Sequence, residues 1–187
     1  MAGVARGDDG LWRCSWAVGI PIYEAYHDEE WGRPVRDDSA LFEKISLEAF
    51  QSGLSWITIL RKRPAFRAAF HGFDIEKVAA FGESDVERLL NDAGIVRNRA
   101  KIEATIHNAR VAADLPLALG EILWSYAPEP RPRRELIPAT SPESIAMAKA
   151  LRKRGFRFVG PTTAYALMQA TGMVDDHHPD CYIDPVA

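Results

Sequence analysis

Signals for helix starts and helix ends recur along almost the whole chain, and they constrain its fold more than any other feature. Asp38, Asn98 and Ser141 each precede apolar residues at helical spacing, and Gly94 and Gly155 follow such stretches. The strict alternation of apolar and polar residues that marks half-buried strands is nearly absent. The sequence therefore predicts an all-α fold with few strands.

The same signals predict individual helix boundaries. Ser55 is expected to cap a short helix that ends near Leu60, and Pro64 is expected to begin the next helix. Residues 84–87 (SDVE) have the pattern of a capping box, for a helix that stops at Gly94.

Length and composition predict one domain. The 187 residues can bury a core without disulfides, and Cys14 and Cys181 do not form a disulfide framework. Residues 12–187 are expected to form one compact domain after a flexible tail, residues 1–11, with a surface excursion at the proline-rich segment 128–138. The sequence has neither a signal-peptide pattern nor a membrane-spanning run, so we expect a cytoplasmic protein without membrane contact.

Glu48 stands out because it shares a helical stripe with Leu41 and Ile45. That stripe should face the core, and a buried carboxylate needs a partner. One interpretation is a salt bridge or a helix-cap contact with a nearby basic residue. The other is a pocket carboxylate that hydrogen-bonds a polar ligand.

Aromatic residues are dense around Glu48. Tryptophans more often belong to a core than to a pocket wall, but buried indole N–H and phenol O–H groups need partners. A flat, hydrogen-bonding ligand such as a purine would supply them. The aromatic residues in this region are Trp12, Trp16, Tyr23, Tyr26, Trp31 and Trp56.

Basic residues cluster where a tight turn between two helices is predicted. The formal net charge of -3 gives no reason to expect a nucleic-acid partner, but Arg97, Arg99 and Lys101 follow directly on the turn at Gly94. A helix N-terminus beside such cations favours a phosphate group. An ordinary helical hairpin is the alternative.

Cysteine and histidine residues near the two ends of the chain form a possible metal site. His177 and Cys181 have the i, i+4 spacing of one helical turn, and Cys14 and His27 could complete a tetrahedral zinc site. The two halves are too far apart for a zinc-finger pattern. Buried cysteines with surface histidines are the alternative.

Several longer segments resemble those of one known protein family, 3-methyladenine DNA glycosylase I, over nearly all of residues 12–181. The resemblance implies an all-helical protein of the helix-hairpin-helix glycosylase superfamily, with two lobes and a base pocket between them. The segments are CSW (14–16), YEAYHDEEWG (23–32), LEAFQSGLSW (47–56), DAGI (92–95), KRGFRFVG (153–160) and MQA (168–170).

The resemblance also implies roles for individual residues. Glu48 and Tyr26 would hydrogen-bond an extruded 3-methyladenine, Trp56 would stack on it, and Trp16, Trp31 and Tyr23 would line the pocket. One structural zinc ion would join the two ends of the domain through Cys14, His27, His177 and Cys181.

The expected partner is double-stranded alkylated DNA, bound by a monomer through a helix-hairpin-helix around residues 84–114. Gly94, Arg97, Arg99 and Lys101 would contact its backbone. Leu54, after the glycine turn at Gly53, is either the wedge that fills the space left by the flipped base or a core leucine.

Two function classes remain open from the sequence. The first is a hydrolase that releases 3-methyladenine without a lyase step, because the family lacks the aspartate that most related glycosylases carry after the hairpin. The second is a zinc-stabilised DNA-binding module that recognises alkylated bases without excising them.

Overall fold

The fold is built almost entirely from helices, as the helix-start and helix-end signals in the sequence predict. A computed structural model describes residues 3–184. No helix within this range is long and apolar enough to cross a membrane. The elements are β1 Val4–Arg6, β2 Trp12–Cys14, α1 Pro21–Glu29, α2 Asp38–Gln51, α3 Trp56–Ala69, α4 Ile75–Ala79, α5 Glu83–Asn91, α6 Arg99–Ala113, α7 Leu119–Trp124, α8 Pro142–Lys153 and α9 Pro161–Ala170.

Strand β1 lies within residues 3–11, the described part of the segment for which a flexible tail is expected; residues 1 and 2 lie outside the described range. Strands β1 and β2 pair antiparallel, with Val4 opposite Cys14. The buried Arg13 guanidinium fixes this hairpin through hydrogen bonds of 2.6 and 2.8 Å to Asp9 and bonds of 2.8 to 3.0 Å to Asp28 on α1. The pair with Asp28, unlike the i, i+4 pair with Asp9, joins distant residues and cannot be read from the local sequence.

Helix α2 begins one residue earlier than a cap at Asp38 implies, and Asp38 has a different role from the one expected. The N-cap is Asp37, whose carboxylate accepts from the Ala40 N–H. The Asp38 carboxylate instead accepts from the N–H groups of Leu119 and Gly120, at 3.0 and 2.8 Å. A residue on α2 therefore caps the start of α7, which neutralises part of that helix end.

Two predicted boundaries are wrong. Helix α3 runs through Pro64, because buried residues on both sides of it, among them Leu60 and Phe66, hold the helix together. Helix α5 is capped by Gly82 rather than Ser84, with the Asp85 carboxylate accepting from the Gly82 N–H at 3.1 Å. The caps predicted at Asn98 and Ser141 are confirmed.

Helix α2 lies at the centre of the core. It contacts α3, α6, α7 and α9, and most of its side chains are buried. A row of phenylalanines packs under its C-terminal half, with ring centroids of Phe50 and Phe66 separated by 4.7 Å. Because α2 is buried on almost every side, a buried charged side chain on it needs a partner, and the Glu43 carboxylate has one in Arg67, at 2.9 Å.

Candidate active site

A cavity of about 490 Å³ opens beside α2 and α9, within the size range of small-molecule sites. It is lined by side chains from both ends of the chain and from the central helices. The lining residues are Gly3, Cys14, Trp16, Tyr26, Trp31, Glu48, Gln51, Trp56, Arg134, Glu135, Leu136, Ile137, Ala166, Gln169, Ala170, Asp176 and His178.

Glu48 is a buried carboxylate on the wall of this cavity, and its residue is only 8% exposed. Within residues 3–184 its side chain forms neither a salt bridge nor a hydrogen bond. Burial raises the pKa of Glu48 to about 7, although the nearby Lys44 charge lowers it in part. The salt-bridge interpretation is therefore wrong, and the carboxylate keeps its hydrogen-bonding capacity for a ligand.

Tyr26 and Trp56 lie together beside this carboxylate. Their ring centroids are 5.5 Å apart, and both residues line the cavity. Burial, helped by the Glu48 charge, raises the pKa of Tyr26, so its hydroxyl stays protonated and can donate. The buried indole Nε1 of Trp56 has no hydrogen-bond partner in the described part of the chain. The wall thus combines an acceptor, a donor and an aromatic face.

Trp16 and Trp31 also line the cavity, as predicted, but Tyr23 does not. The rings of Trp16 and Trp31 meet edge to face at 5.2 Å. Tyr23 packs edge-on against Trp16 at 5.7 Å, outside the cavity lining. Tyr23 therefore packs behind a wall residue. The density of aromatic residues in the sequence could not show which of them line the cavity and which lie behind it.

Polar residues that the sequence did not single out complete the cavity. Gln51, Gln169 and Asp176 line it, and so do residues 134–137 of the segment expected to be a surface excursion. Arg133 anchors that segment, because its guanidinium donates to Asp175 at 2.8 Å and to the Ile183 carbonyl at 2.6 Å. Only the partners in the C-terminal segment reveal that this proline-rich loop borders a site.

A cluster of cysteine and histidine side chains lies directly behind the tryptophans. The ligand atoms of Cys14, His27 and Cys181 are all within 4.8 Å of one another, and all three residues are buried. The His177 ring is 5.0 Å from the His27 ring, and its Nε2 is buried without a partner in the described residues. These four residues are the ones that the sequence analysis grouped as possible metal ligands.

Two carboxylates orient the histidines of this cluster. His27 Nδ1 is 2.8 Å from Asp28 Oδ1, and His177 Nδ1 is 2.8 Å from Asp175 Oδ1. In both rings the Nε2 atom is left as the one that can bind a metal. Gly32 makes room for this arrangement, because a Cβ atom there would approach the His177 ring to 2.7 Å.

The local conformation of the C-terminal ligand pair differs from the prediction. His177 and Cys181 were expected on one helical turn, but residues 175–184 contain no helix. Cys181 N–H donates to the His178 carbonyl at 2.9 Å, and the His178 N–H donates to Cys14 Sγ at 3.3 Å. A hydrogen-bonded loop, rather than a helix, brings these side chains together.

The turn between α5 and α6, residues 92–98, is less available to phosphate than its sequence suggests. The Gly94 N–H donates to Asp92 Oδ1 at 2.7 Å, which places a carboxylate where an anion was expected. Glycine is required at this position because a Cβ atom would lie 2.8 Å from the Ala65 Cβ on α3. The glycine therefore reflects close helix packing.

The cations beside this turn divide into two kinds. Arg99 forms ion pairs with Glu83, Glu87 and Glu103, so its guanidinium is already neutralised. Arg97 is exposed and forms no ion pair within the described range. The expectation of a phosphate contact from Arg99 is not supported, because α5 supplies carboxylates that the local sequence does not show.

Lys101 is also committed to a structural contact. It is buried, and its Nζ donates to the carbonyls of Phe50 and Ser52, at 2.9 and 2.6 Å. A cation at the C-terminus of α2 stabilises that helix end. Lys101 therefore holds the start of the turn that carries Leu54, instead of reaching the surface.

Leu54 is exposed, so the core-leucine interpretation is wrong. Its residue is 43% exposed, in the turn between α2 and α3 where Gly53 has a φ of +83°. An apolar side chain is thus presented to solvent next to Trp56 of the cavity.

Comparison with known proteins gives relatives that cover about nine tenths of the chain. A family model described as methyladenine glycosylase matches residues 16–184. DNA-3-methyladenine glycosylase 1 of Escherichia coli (strain K12) is 49% identical over 181 residues, covering 92% of this chain and 97% of the relative. The DNA-3-methyladenine glycosylase of Haemophilus influenzae is 43% identical, covering 90% of this chain and 96% of the relative.

Solved structures with the same enzyme name also match this chain. A crystal structure of 3-methyladenine DNA glycosylase I matches with a TM-score of 0.87 and 48% identity, covering 92% of this chain and all of the other. The enzyme from Staphylococcus aureus, solved to explain 3-methyladenine recognition, matches with a TM-score of 0.88 and 34% identity, covering 94% and 97%. The resemblance seen in the sequence is thereby confirmed, and the chain belongs to the methyladenine glycosylase family.

Proposed function

We propose that this protein excises 3-methyladenine from double-stranded alkylated DNA by hydrolysing the bond between base and sugar. The observation that carries the proposal is Glu48, a buried carboxylate without a protein partner on the wall of an aromatic cavity. Burying such a charge costs stability, and a site that binds a cation explains why it is kept. The relatives named for this activity support the same substrate.

The reaction begins with extrusion of the base from the duplex, which is least costly for a damaged, poorly stacked base. Methylation at N3 gives adenine a positive charge and weakens its glycosidic bond. Glu48 accepts from the amino group of this cation, Tyr26 donates to a ring nitrogen, and Trp56 attracts the charged ring through its π face. Unmodified adenine is neutral, so it gains less from the carboxylate.

A water molecule then attacks the anomeric carbon of the sugar as the glycosidic bond breaks. The base leaves as neutral 3-methyladenine, the water loses a proton to solvent, and no lyase step follows. A lyase needs a free amine to form an imine with the sugar, and no lysine lines the cavity within the described residues. The nearest candidate after the turn, Lys101, has its Nζ bonded to two backbone carbonyls. These two observations support a monofunctional hydrolase.

DNA is proposed to bind across two exposed turns, the one that carries Leu54 and the one at residues 92–98. Helix α5, residues 92–98 and α6 would form the helix-hairpin-helix, and Arg97 would contact a phosphate, whereas the Gly94 N–H is already bonded to Asp92 Oδ1. Leu54 would fill the space that the flipped nucleotide leaves, as its exposure permits. We propose that a monomer acts, in the cytoplasm.

One structural zinc ion is proposed for the Cys/His cluster of Cys14, His27, His177 and Cys181. The donor set is the one that zinc prefers, three of the ligand atoms are already close, and the fourth residue has a buried, unpartnered nitrogen. When bound, the metal would tie the N-terminal segment to the C-terminal segment without adding reaction chemistry, because four protein ligands leave no position for water. Trp16 and Trp31, which pack against the histidines, would then be held as a firm cavity wall.

The experiment that tests the function is incubation with methylated duplex DNA, followed by chromatography of the released bases and electrophoresis of the strands. We expect free 3-methyladenine and intact abasic strands. Tight binding to alkylated DNA without base release would favour the binding-module alternative. Strand cleavage in step with base release would contradict the monofunctional mechanism.

A further inference from the structure

One face of α9 forms a wall of the cavity and carries a single polar side chain. Ala166, Gln169 and Ala170 all line the cavity, at the i, i+3 and i+4 spacing that places residues on one helix face. The two alanine methyl groups are small enough to let a flat ring approach the helix. Gln169 is therefore placed to contact the edge of a base that enters the cavity.

The amide orientation of Gln169 is fixed by a buried carboxylate. Gln169 Nε2 donates to Asp176 Oδ2 at 3.0 Å, and the Tyr165 hydroxyl donates to the same oxygen at 2.7 Å. Arg131 Nη2 lies 3.8 Å from the other Asp176 oxygen. Because a carboxylate surrounded by donors only accepts, the amide must turn its nitrogen toward Asp176. Gln169 Oε1 remains as an acceptor that has no partner within residues 3–184.

We infer that Gln169 Oε1 is a second acceptor for the 6-amino group of the extruded base, and that Asp176 is the positioning residue that keeps it an acceptor. This inference rests on the proposed function and deepens it. An amino group offers two N–H donors, and Glu48 with Gln169 offers two acceptors. A guanine-type base carries a carbonyl oxygen at position 6, which would face acceptors instead of donors. The pair thus selects 3-methyladenine over 3-methylguanine.

A second glutamine in the same cavity provides a matched comparison. Gln51 lines the cavity, but its side chain forms no hydrogen bond in the described part of the chain. Its amide can therefore present either the nitrogen or the oxygen to a base. Only the glutamine held by Asp176 has the fixed polarity that discrimination requires.

The test compares Gln169→Met with Gln51→Met on one preparation of methylated DNA that contains both 3-methylpurines. Competing substrates in one tube give the ratio of their kcat/KM values directly. Methionine keeps the length of glutamine and removes the amide. We expect Gln169→Met to lower the ratio of 3-methyladenine to 3-methylguanine release roughly 10-fold or more, because one bond and one repulsion are lost together. Gln51→Met should change that ratio less than about 2-fold.

Asp176→Asn is the second variant, because asparagine can donate and so frees the Gln169 amide to turn. It should lower the same ratio, by less than Gln169→Met does. A wild-type ratio in Gln169→Met, or a larger loss in Gln51→Met, would overturn the inference while wild-type release of 3-methyladenine keeps the proposed function. A wild-type protein that releases no 3-methyladenine would overturn both.

Discussion

The cavity and the turn at residues 92–98 differ in whether their charged side chains have partners within the protein. In the cavity, Glu48 is buried with no ion-pair partner within the described range. Beside the turn, Arg99 is paired with three carboxylates and Lys101 is bonded to two carbonyls. A charge kept unpaired at a cost to stability is available to a ligand, whereas a charge already paired serves the fold.

The Cys/His cluster differs from both regions: its ligand atoms are already close together, but a bound metal would be needed to satisfy them. We expect His177→Ala, or treatment with a strong chelator, to lower the free energy of unfolding on the order of 5 kcal/mol, since metal binding is linked to folding. Elemental analysis and denaturant unfolding measure this effect. His71→Ala removes a histidine outside the cluster and should leave metal content unchanged. The zinc site would be contradicted if the wild-type protein contained no metal and was no more stable than His177→Ala.

The cost of the unpaired Glu48 should appear as a pH-dependent difference in stability. Its pKa is about 7 in the folded state against an ordinary value of 4.5, so the folded state binds this proton more tightly than the unfolded chain does. The contribution is therefore fully present below pH 4.5 and is lost as the pH rises to 7. Glu48→Gln lacks this loss, so its stability relative to wild type should rise by about 3 kcal/mol between pH 4.5 and 8. The free energy of unfolding in urea is measured against pH for both proteins. If the wild-type and Glu48→Gln curves were parallel, Glu48 would not titrate as described.

The same substitution should impair the reaction. Glutamine adds a donor that meets the amino donor of the base and removes the charge that matches a cation. We expect Glu48→Gln to fold and to bind undamaged DNA, but to lose about 1.5–3 kcal/mol of base recognition, roughly 10- to 150-fold in excision rate. Tyr26→Phe removes only a neutral hydroxyl and should cost less. Wild-type excision by Glu48→Gln together with loss in Trp56→Ala would indicate recognition by stacking alone.

Substitutions of Lys101 and Arg97 separate the two kinds of cation at the turn. Lys101→Met leaves two carbonyls without their donor and should lower stability by about 1–3 kcal/mol, with no change in the salt dependence of DNA binding. Equilibrium unfolding and binding titrations at several salt concentrations measure both quantities. A flatter salt dependence in Lys101→Met would return Lys101 to the DNA interface.

Arg97→Ala is expected to have the smallest effect. Stability should not change, because the side chain is exposed and unpaired within residues 3–184. The slope of log affinity against log salt should fall by about one unit if Arg97 contacts one phosphate. An unchanged slope would place Arg97 on the solvated surface.

Local sequence was sufficient wherever the deciding contact is short in range or repeats with the helix period. Asn98 and Ser141 cap their helices through backbone groups three residues away, so their roles can be read directly. Glu48 is recognisable because Leu41 and Ile45 define a buried stripe at helical spacing. The long segments shared with the glycosylase family added the ligand and pocket residues that spacing alone left open.

Tertiary structure decided every question that depends on a partner distant in the chain. Arg99 and Lys101 differ in role from Arg97 only because α5 brings carboxylates to one and the end of α2 brings carbonyls to the other. In the same way, Gln169 acquires a fixed polarity only from Asp176, beyond the end of its own helix. The sequence determines which groups can bond, but the packing of helices determines which bonds are already satisfied within the fold.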